Sequence, residues 1–311
     1  MPEATPSAIS RHAELFVAHR PALVGAAYRV LSSVSDAEDV VQEAWLRWSQ
    51  VELAEVREPR AYLLRITTRL ALNRVREQQR RRETYVGPWL PEPWSGPLAA
   101  GGGSDPGDAA ELADSVSMAM LVVLSSLSPL ERAVFVLREV FDVPFSEVAE
   151  TLGRSEEAVR QLAHRARSHV QARTPQRPVD GRTHQAVTEK FLAAVQGGSI
   201  QSLLTMLAPD AVLTTDGGGL RQAALRPIVG ADKIIRFLIG VVSKAEALST
   251  SGTKPSFQLT TANGQAAIVA LVDGVPDTLG LLGIDGSVVT ELFLVRNPEK
   301  LARFVVGDPP P

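Results

Sequence analysis

The chain has 311 residues, of which 45% are hydrophobic and 22% are charged, and it contains no cysteine. This length favours two or three domains, and the ordinary composition excludes disordered, collagen-like and membrane-spanning proteins. The missing cysteines exclude disulfides and thiolate metal sites, and no signal peptide is visible at the N-terminus. We therefore expect a cytoplasmic protein that makes no contact with membranes.

The net charge of −3 conceals a strong segregation of charge along the chain. Residues 1–56 hold four Arg against eight acidic residues, whereas residues 57–82 hold nine Arg against two Glu. Residues 154–173 hold five Arg against two Glu. This distribution predicts two surfaces that face polyanions, preceded by an acidic surface.

Breaker residues divide the chain into helical and mixed parts. Apolar spacing of three and four residues predicts helices over 8–82 and 109–171, separated by a Pro- and Gly-rich linker over 86–106. A second break at 174–178 precedes the C-terminal part. We divide the chain accordingly into 8–82, 83–110, 111–173 and 183–306.

The C-terminal part has the pattern of an α+β domain, in which helices come first and a run of strands follows. No internal repeat is visible. Hairpin-turn pairs occur at Asn263-Gly264 and Asp285-Gly286. Together the patterns predict a curved sheet wrapped around helices. We expect helices at 184–196, 199–206 and 231–247, and strands at 212–215, 256–261, 266–272, 278–284 and 287–296.

An acidic helix is predicted over 36–48, with Ser35 and Glu38 forming a capping box at its start. Its buried stripe would leave Asp39, Gln42 and Glu43 together on an exposed polar face. Such a face either keeps the helix soluble or docks another protein.

A basic helix follows, in which Arg65, Arg69, Arg76 and Arg80 recur along one side and Leu63, Ile66, Leu70 and Asn73 along another. Nearly all charges of this helix are arginines, which favours a surface that binds phosphates and unstacked bases over a face that is only solvated.

Residues 145–164 have the pattern of a helix-turn-helix. Ala149 is small enough for two helices to cross closely, and Gly153 permits the tight turn between them. Ser155 can cap the second helix, and upstream Ser128 and Glu131 form a further capping box. The second helix exposes Arg160, Gln161, His164 and Arg165, which can read base edges or hold phosphates. An ordinary corner between two helices is the alternative.

In this order, the acidic helix, the Arg-rich helix, the linker and the helix-turn-helix resemble the two domains of bacterial extracytoplasmic-function sigma factors, over residues 10–172. The resemblance implies that Asp39, Gln42 and Glu43 bind the β′ clamp helices of core RNA polymerase. It implies that the −10 element of promoter DNA is bound by Arg65, Arg69, Asn73 and Arg76, and the −35 element by Arg160, Gln161, His164 and Arg165. Many members have Asn where Arg69 stands, so the −10 sequence preference does not transfer.

The stretches Tyr85–Pro93 in the linker, Asp216–Gly219, and Asn297–Leu301 near the end resemble motifs of one subgroup, the sigma J type, whose members carry a C-terminal SnoaL-like domain related to nuclear transport factor 2. This resemblance implies a multidomain fold, with two all-α sigma domains and one cone-shaped α+β domain. Leu220 stands where the subgroup has lysine. From their placement on different parts of the chain we expect the motif residues to be regulatory: Trp89, Leu90 and Pro91 in the linker, Asp216, Gly217, Gly218 and Gly219 in the domain, and Asn297, Pro298, Glu299, Lys300 and Leu301 after its last strand.

We expect the C-terminal domain to regulate rather than to catalyse, with no cofactor, no metal and no catalytic residues. His184 stands at the start of a helix, and Asp216 heads a glycine turn where aspartate is common for backbone reasons. A small molecule or a protein could be its ligand. We expect the linker to dock on this domain and Asn297–Leu301 to act as a latch outside its core. A one-component transcription factor with a ligand-sensing domain, and an enzyme with an incidental DNA-binding module, are the alternatives to a sigma factor.

Overall fold

The structure is a computed structural model that describes residues 8–96, 116–248 and 256–307, without the side chains of 8–10, 80–82 and 242–248. It contains two compact units. The first comprises most of the helical N-terminal half. The second comprises the C-terminal half together with Arg82–Pro97 of the linker and Ser117–Val122. Among the described helices, none has the length and apolar character needed to cross a membrane.

The first helices of the first unit are held together by a buried tryptophan. Trp48 is fully buried, and its Nε1 donates a hydrogen bond to the carbonyl oxygen of His12 over 3.0 Å. A hydrogen bond satisfies the polar tip of a buried indole, so its apolar area stabilises the packing. These helices are α1 (Ala8–Leu31), α2 (Val34–Trp48) and α3 (Pro59–Glu83), with a short 3₁₀ turn at Leu53–Glu55.

The start of α2 differs from the predicted one. Ser33, in extended conformation, is the N-cap, and its Oγ accepts a hydrogen bond from the backbone N–H of Asp36 over 3.2 Å. Ser35 already lies within the first turn of the helix. The predicted Ser35–Glu38 capping box is therefore wrong, because the positive φ of 56° at Ser32 turns the chain two residues before the helix starts.

The later helices of the first unit begin with a cap that the sequence predicts correctly. Ser128 and Glu131 form a capping box, in which each side chain bonds the backbone N–H of the other residue. Pro129 follows at the first helical position, where its missing N–H costs nothing. The elements are α4 (Met118–Ser125), of which the residues up to Val122 belong to the second unit, α5 (Pro129–Phe135), a π-helical turn (Val136–Val140), α6 (Phe145–Leu152) and α7 (Glu156–Gln171).

Two buried arginines connect the helices of this unit. Arg132 of α5 donates hydrogen bonds to the carbonyl oxygens of Val30 and Ser125, each over 2.8 Å. Arg29 of α1 lies against the Phe141 ring, and burial lowers the pKa of its guanidinium to about 10. Because a buried charge is tolerated only when its hydrogen bonds are satisfied, these contacts define how α1 meets α5.

The second unit is built around one six-stranded sheet in the order β2-β1-β6-β5-β4-β3. Strands β3 to β6 form an antiparallel meander, and β1 lies parallel to β6. The predicted fold class, all-α domains followed by an α+β domain, is confirmed. The elements are α8 (Gly181–Gln196), α9 (Ile200–Met206), β1 (Leu207–Asp216), β2 (Ile228–Val229), α10 (Ala231–Leu248), β3 (Ser256–Ala262), β4 (Gln265–Val272), β5 (Val275–Asp285), β6 (Val288–Val295) and α11 (Pro298–Leu301).

Short turns define the strand register of the meander. Asn263 and Gly264 both have positive φ, as a two-residue hairpin turn requires. Asp273 and Gly274 have the same conformation and connect β4 to β5. The sequence Asp273-Gly274 is itself a hairpin-turn signal, but it was not among the predicted turns.

Two apolar clusters form the core of the second unit. One lies among α8, α9, α10 and the sheet, and includes Leu213 and Ile234. The other includes Leu90 of the linker, Val295 of β6, and Leu301 and Phe304 beyond it. Leu301 is therefore part of the core. The expectation that Asn297–Leu301 lies outside the core as a latch is wrong, because α11 buries apolar side chains.

Candidate functional sites

The polar face of α2 is exposed. Asp39, Gln42 and Glu43 all lie on it and are accessible to solvent. Two of the three have partners: Glu43 pairs with Arg47 one turn away, and Asp39 Oδ2 lies 3.1 Å from Arg74 Nη2 of α3. Because these pairs are exposed to solvent, each contributes little to stability and can be exchanged for a partner protein at small cost.

The basic helix α3 contacts the first helix of the helix-turn-helix. Arg65 forms an ion pair with the Glu150 carboxylate. Arg69 donates to the backbone carbonyl oxygens of Thr151 and Glu150 over 2.7 and 2.8 Å. The C-terminal end of α6 carries a partial negative charge on its carbonyls, which arginines satisfy well. Two of the predicted −10 residues are thus engaged within the protein, a contact that no sequence signal indicates.

The other two predicted −10 residues lie on the exposed surface of α3. Asn73 and Arg76 are one turn apart, and Arg76 Nη1 lies 3.4 Å from Asn73 Oδ1. The structure thus brings the four residues onto one helix but in two different environments. The side chain of Arg80, which belongs to the predicted stripe, lies outside the described residues.

The helix-turn-helix has the local geometry that its sequence requires. Gly153 adopts φ 62° at the C-terminal end of α6, a left-handed conformation that favours glycine. Ser155 Oγ accepts a hydrogen bond from the backbone N–H of Ala158 and caps α7. Val148 and Val159 are fully buried, and Ala149 is 6% exposed. These side chains hold α6 against α7 and fix the outer face of α7.

The outer face of α7 exposes the four predicted −35 residues, Arg160, Gln161, His164 and Arg165. Arg160 bonds Glu156 one turn earlier and lies over the Phe145 ring, 4.6 Å from its centroid. Arg165 lies 2.9 Å from Glu131. Hydrogen bonds from Ser128 and Arg165 hold the pKa of Glu131 below its usual range. Both arginines are thereby oriented, and each remains more than half exposed.

A buried ion pair in the second unit holds the linker backbone. Lys300 Nζ lies 2.7 Å from Asp216 Oδ2, with the Asp216 side chain fully buried. The same ammonium donates to the carbonyl oxygen of Leu90 over 2.5 Å, and the Leu90 N–H donates to Asp216 Oδ2 over 2.8 Å. Three distant segments of chain therefore share one polar centre, in which every bond is charge-assisted.

Aromatic rings of the linker cover this polar centre. Lys300 Nζ lies 3.6 Å from the Trp89 ring centroid and 5.2 Å from that of Tyr85. The Tyr85 hydroxyl donates to Asp216 Oδ1 and accepts from Asn297 Nδ2 over 2.9 Å. Burial, followed by the hydrogen bond to Asp216, raises the pKa of Tyr85. We call this set of contacts the linker clamp, formed by Tyr85, Trp89, Leu90, Asp216, Asn297 and Lys300.

Close packing favours glycine after Asp216, most strictly at Gly217 and Gly218. A Cβ on Gly218 would clash with the Asn297 amide, and one on Gly219 would lie 3.3 Å from Val86 of the linker. A Cβ on Gly217 would clash with the carbonyl oxygen of Arg221 on the other side of the loop. The remaining predicted regulatory residues support the clamp: Pro91 is buried, Pro298 starts α11, Glu299 N–H bonds Asn297 Oδ1, and Leu301 packs in the core.

Sequence reasoning missed two members of these sites. Tyr85 belongs to the linker stretch but was not predicted as a site residue, and its position four residues before Trp89 was the available signal. Glu150 carried no signal. His184, the histidine considered for catalysis, is buried, with Nε2 3.1 Å from the carbonyl oxygen of Leu282. Its ring bridges α8 to β5, which is a structural role.

The second unit also contains a cavity of about 700 Å³, a size typical of small-molecule sites. Phe191 of α8, Phe237 of α10 and Leu282 of β5 contribute to its largely apolar wall. Three arginines and one aspartate, Arg221, Arg236, Arg296 and Asp277, also line it. The cavity lies on the side of the sheet that faces α8 and α10.

Comparisons with known proteins identify relatives over most of the chain. Residues 15–81 match the family model of Sigma-70 region 2, and residues 117–170 match that of Sigma-70, region 4. The chain is 40% identical over 272 residues to the ECF RNA polymerase sigma factor SigJ of Mycobacterium tuberculosis, covering 87% of this chain and 82% of that protein. It is 31% identical to a protein of the same species named "Probable ECF RNA polymerase sigma factor SigI", covering 91% of this chain and 92% of the relative.

A solved structure agrees with these relatives. The crystal structure of Mycobacterium tuberculosis extracytoplasmic function sigma factor SigJ matches with a TM-score of 0.74 and 35% sequence identity. The match covers 95% of this chain and all of that chain.

Proposed function

Since this chain belongs to the extracytoplasmic-function sigma factors of RNA polymerase, we propose that its C-terminal domain regulates promoter recognition by holding the linker between the two sigma domains. The observation that carries this proposal is the buried Lys300–Asp216 pair, which bonds both backbone groups of Leu90. A linker that connects two DNA-binding domains must be free to set their separation. Binding it to a domain of the same chain restricts that freedom at high effective concentration.

The polymerase-binding surface in this proposal is the exposed face of α2. Asp39, Gln42 and Glu43 would contact the β′ clamp helices of the core enzyme. Their exposure and the weakness of their internal pairs support this assignment. The acidic character of the face also disfavours DNA there, so that protein and DNA would bind to different helices.

The DNA-binding surfaces in this proposal are α7 and α3. Arg160, Gln161, His164 and Arg165 would contact the −35 element in the major groove, as their exposure on the second helix of a helix-turn-helix favours. For the −10 element the assigned residues are Arg65, Arg69, Asn73 and Arg76. Because Arg65 and Arg69 are bonded to the end of α6, we propose that these bonds open when promoter DNA binds.

The C-terminal domain has no catalytic role in this proposal. Asp216, the best candidate for a catalytic acid in the sequence although catalysis was not expected, is buried and engaged by Lys300, Tyr85 and the Leu90 N–H. A carboxylate with these partners holds structure together and has little capacity left for proton transfer. We further propose that the protein works in the cytoplasm with core polymerase and promoter DNA, and requires no cofactor or metal.

Run-off transcription with core polymerase tests the regulatory proposal. The double variant Lys300→Met with Asp216→Asn removes both charges together, so neither is left buried and unpaired. We expect it to raise transcript yield, because the linker is released. Lys190→Met, a change at an exposed lysine of α8, is the matched control and should leave the yield unchanged. Equal yields from wild type and the double variant would contradict the proposal.

A further inference from the structure

The cavity of the second unit combines apolar walls with an excess of positive charge. Of its charged lining residues within the described part of the chain, three are arginines and one is Asp277. Asp277 is already engaged: its Oδ2 lies 2.9 Å from Arg296 Nη2, and its Oδ1 lies 3.8 Å from Arg221 Nε. Two positive charges therefore remain uncompensated at the cavity, which favours an anionic group in a bound molecule.

The arginines are held differently, and the difference indicates which one is available. Arg296 is fixed by Asp277, by Thr278 Oγ1 at 3.0 Å and by the carbonyl oxygen of Gln222 at 2.5 Å. Among the described residues, the ion pair of Arg221 is the long contact with Asp277, and its side chain is 54% exposed. Arg296 thus supplies a fixed positive charge, and Arg221 can move to a ligand without breaking a short bond.

We propose that this cavity binds an apolar molecule with one anionic head group, such as a hydrophobic carboxylate, and that its occupation strengthens the linker clamp. The apolar body would fill the space among Phe191, Phe237 and Leu282, and the head group would lie near Arg221 and Arg296. The regulatory consequence of this site rests on the proposed function of the linker clamp, whereas binding itself does not.

The residues of the cavity and of the linker clamp are adjacent at the C-terminal ends of two neighbouring strands, β1 and β6. Arg296 precedes Asn297, and its backbone N–H donates to the carbonyl oxygen of Asp216 over 2.7 Å. The loop after Asp216 packs against the cavity lining at one residue and against the clamp at the next. Gly217 lies against Arg221 and Ala223, and Gly218 lies against Asn297 and Tyr85. The contact at Gly217 is with the backbone carbonyl of Arg221, whose N–H also donates to the Gly217 carbonyl oxygen over 3.0 Å, so ordering of the backbone at Arg221 also orders the loop that carries Asp216.

The direction of the coupling follows from this arrangement. A head group that bridges Arg221 and Arg296 binds best when the loop is closed on Gly217, which is the arrangement that also presents Asp216 and Gly218 to the linker. A ligand that prefers one arrangement increases its population, and the effect is reciprocal. Occupation should therefore reduce opening of the hydrogen bond from the Leu90 N–H to Asp216.

Binding can be tested with two fluorescent probes on the full chain, without polymerase. Anilinonaphthalene sulfonate has the apolar body and the anionic head, and phenylnaphthylamine is the same body without the charge. We expect Arg221→Gln to weaken sulfonate binding roughly fivefold, the effect of one partly screened charge pair, and to change binding of the uncharged probe less than about twofold. Arg182→Gln, a change at an exposed arginine of α8, should affect neither probe.

A cavity-filling variant shows whether the probes enter this cavity. Ala270 lines it, and Ala270→Trp should reduce binding of both probes while the thermal unfolding transition stays cooperative. If this variant unfolds, Ile268→Phe at the same wall replaces it. Equal binding of the sulfonate to wild type and Arg221→Gln, or sulfonate binding unaffected by filling the cavity, would overturn the ligand assignment.

Hydrogen exchange tests the coupling. Saturating sulfonate should slow exchange in peptides covering residues 85–96, with the Leu90 amide as the reporter, and Arg221→Gln should reduce this effect. Unchanged or faster exchange with the cavity occupied would overturn the coupling. These results are distinguishable from failure of the proposed function, because clamp variants that leave transcription unchanged would contradict that function while probe binding persisted.

Discussion

The ammonium group of Lys300 lies 3.6 Å from the centroid of the Trp89 ring. The end of the C-terminal domain therefore binds the linker, although most of the chain separates these two residues in the sequence. A cation over an indole face is stabilised further when it is desolvated, and the Lys300 side chain is only 7% exposed. The contact provides a direct physical route from the C-terminal domain to the linker.

Breaking the buried pair on one side should be costly. Lys300→Met leaves Asp216 buried without its cation, and we expect the free energy of unfolding to fall by about 3–5 kcal/mol, as for other buried pairs that lose one partner. Equilibrium unfolding in urea measures the change. The double variant with Asp216→Asn should recover part of the loss. Lys300→Met with wild-type stability would contradict the assigned burial of the pair.

Removing Glu150 should release Arg65 for DNA. Glu150→Gln removes the ion pair to Arg65, an exposed interaction of about 0.5–1 kcal/mol. We therefore expect severalfold tighter binding of single-stranded DNA, measured by fluorescence anisotropy. Glu189→Gln, at an exposed residue of α8, is the matched control. Weaker or unchanged binding by Glu150→Gln would show that this contact does not compete with DNA.

The double variant Asp39→Ala with Gln42→Ala should weaken binding to core polymerase and leave the unfolding midpoint within the usual range for surface changes. Both side chains are exposed, and the Asp39–Arg74 pair contributes little. Co-elution with core enzyme measures binding. Glu14→Ala with Glu52→Ala changes two other exposed residues of this part of the chain and serves as control. Wild-type co-elution of the Asp39–Gln42 variant would exclude this face as the docking surface.

Alanine at Arg160 or Arg165 should cost about 1–3 kcal/mol of binding to duplex DNA with the −35 sequence, if that side chain bonds a base edge in bidentate fashion. Titrations with the specific and a scrambled duplex separate base recognition from phosphate contact. A loss confined to the specific duplex identifies a base contact. An equal loss on both duplexes would reassign the residue to the DNA backbone.

Stability at alkaline pH should depend on Tyr85. Burial raises the pKa of this phenol above its usual value of about 10, so the folded chain holds the proton more tightly than the unfolded chain. The contribution of the protonated Tyr85 to the free energy of unfolding is complete below about pH 10 and is lost as the pH rises through the folded-state pKa. Urea unfolding of wild type and Tyr85→Phe across this range measures it. A stability difference between the two that does not change with pH would contradict the raised pKa.

Much of the fold could be predicted from the sequence because local signals were consistent with it. Ser128 and Glu131 signalled a helix start, and Asn263-Gly264 signalled a hairpin, since both depend on neighbouring residues only. The start of α2 was placed two residues late because three nearby serines can each act as a cap. Strand β2, only two residues long, has no periodicity to detect.

The sites were less accessible to sequence reasoning where partners are distant. Exposure of Asp39 and Arg160 followed from helical spacing. The contact of Arg65 with Glu150 depends on how two helices pack, which no local pattern encodes. Lys300, in a short polar segment, had the pattern of a surface residue, but its burial depends on Asp216 and on the linker rings. For the same reason a latch was expected where the structure has part of a core.

A reversible lock between linker and C-terminal domain tests the central claim most directly. The chain has no cysteine, and a Cβ built on Gly219 lies 3.3 Å from the Cβ of Val86, near the separation of about 3.5–4.5 Å that a disulfide spans. The variant Val86→Cys with Gly219→Cys can therefore be compared with itself, oxidised and reduced, in run-off transcription, with the two single-cysteine variants as controls. The regulatory proposal predicts less transcript from the oxidised chain, and recovery on reduction. Equal transcript from the oxidised and reduced chains would contradict it.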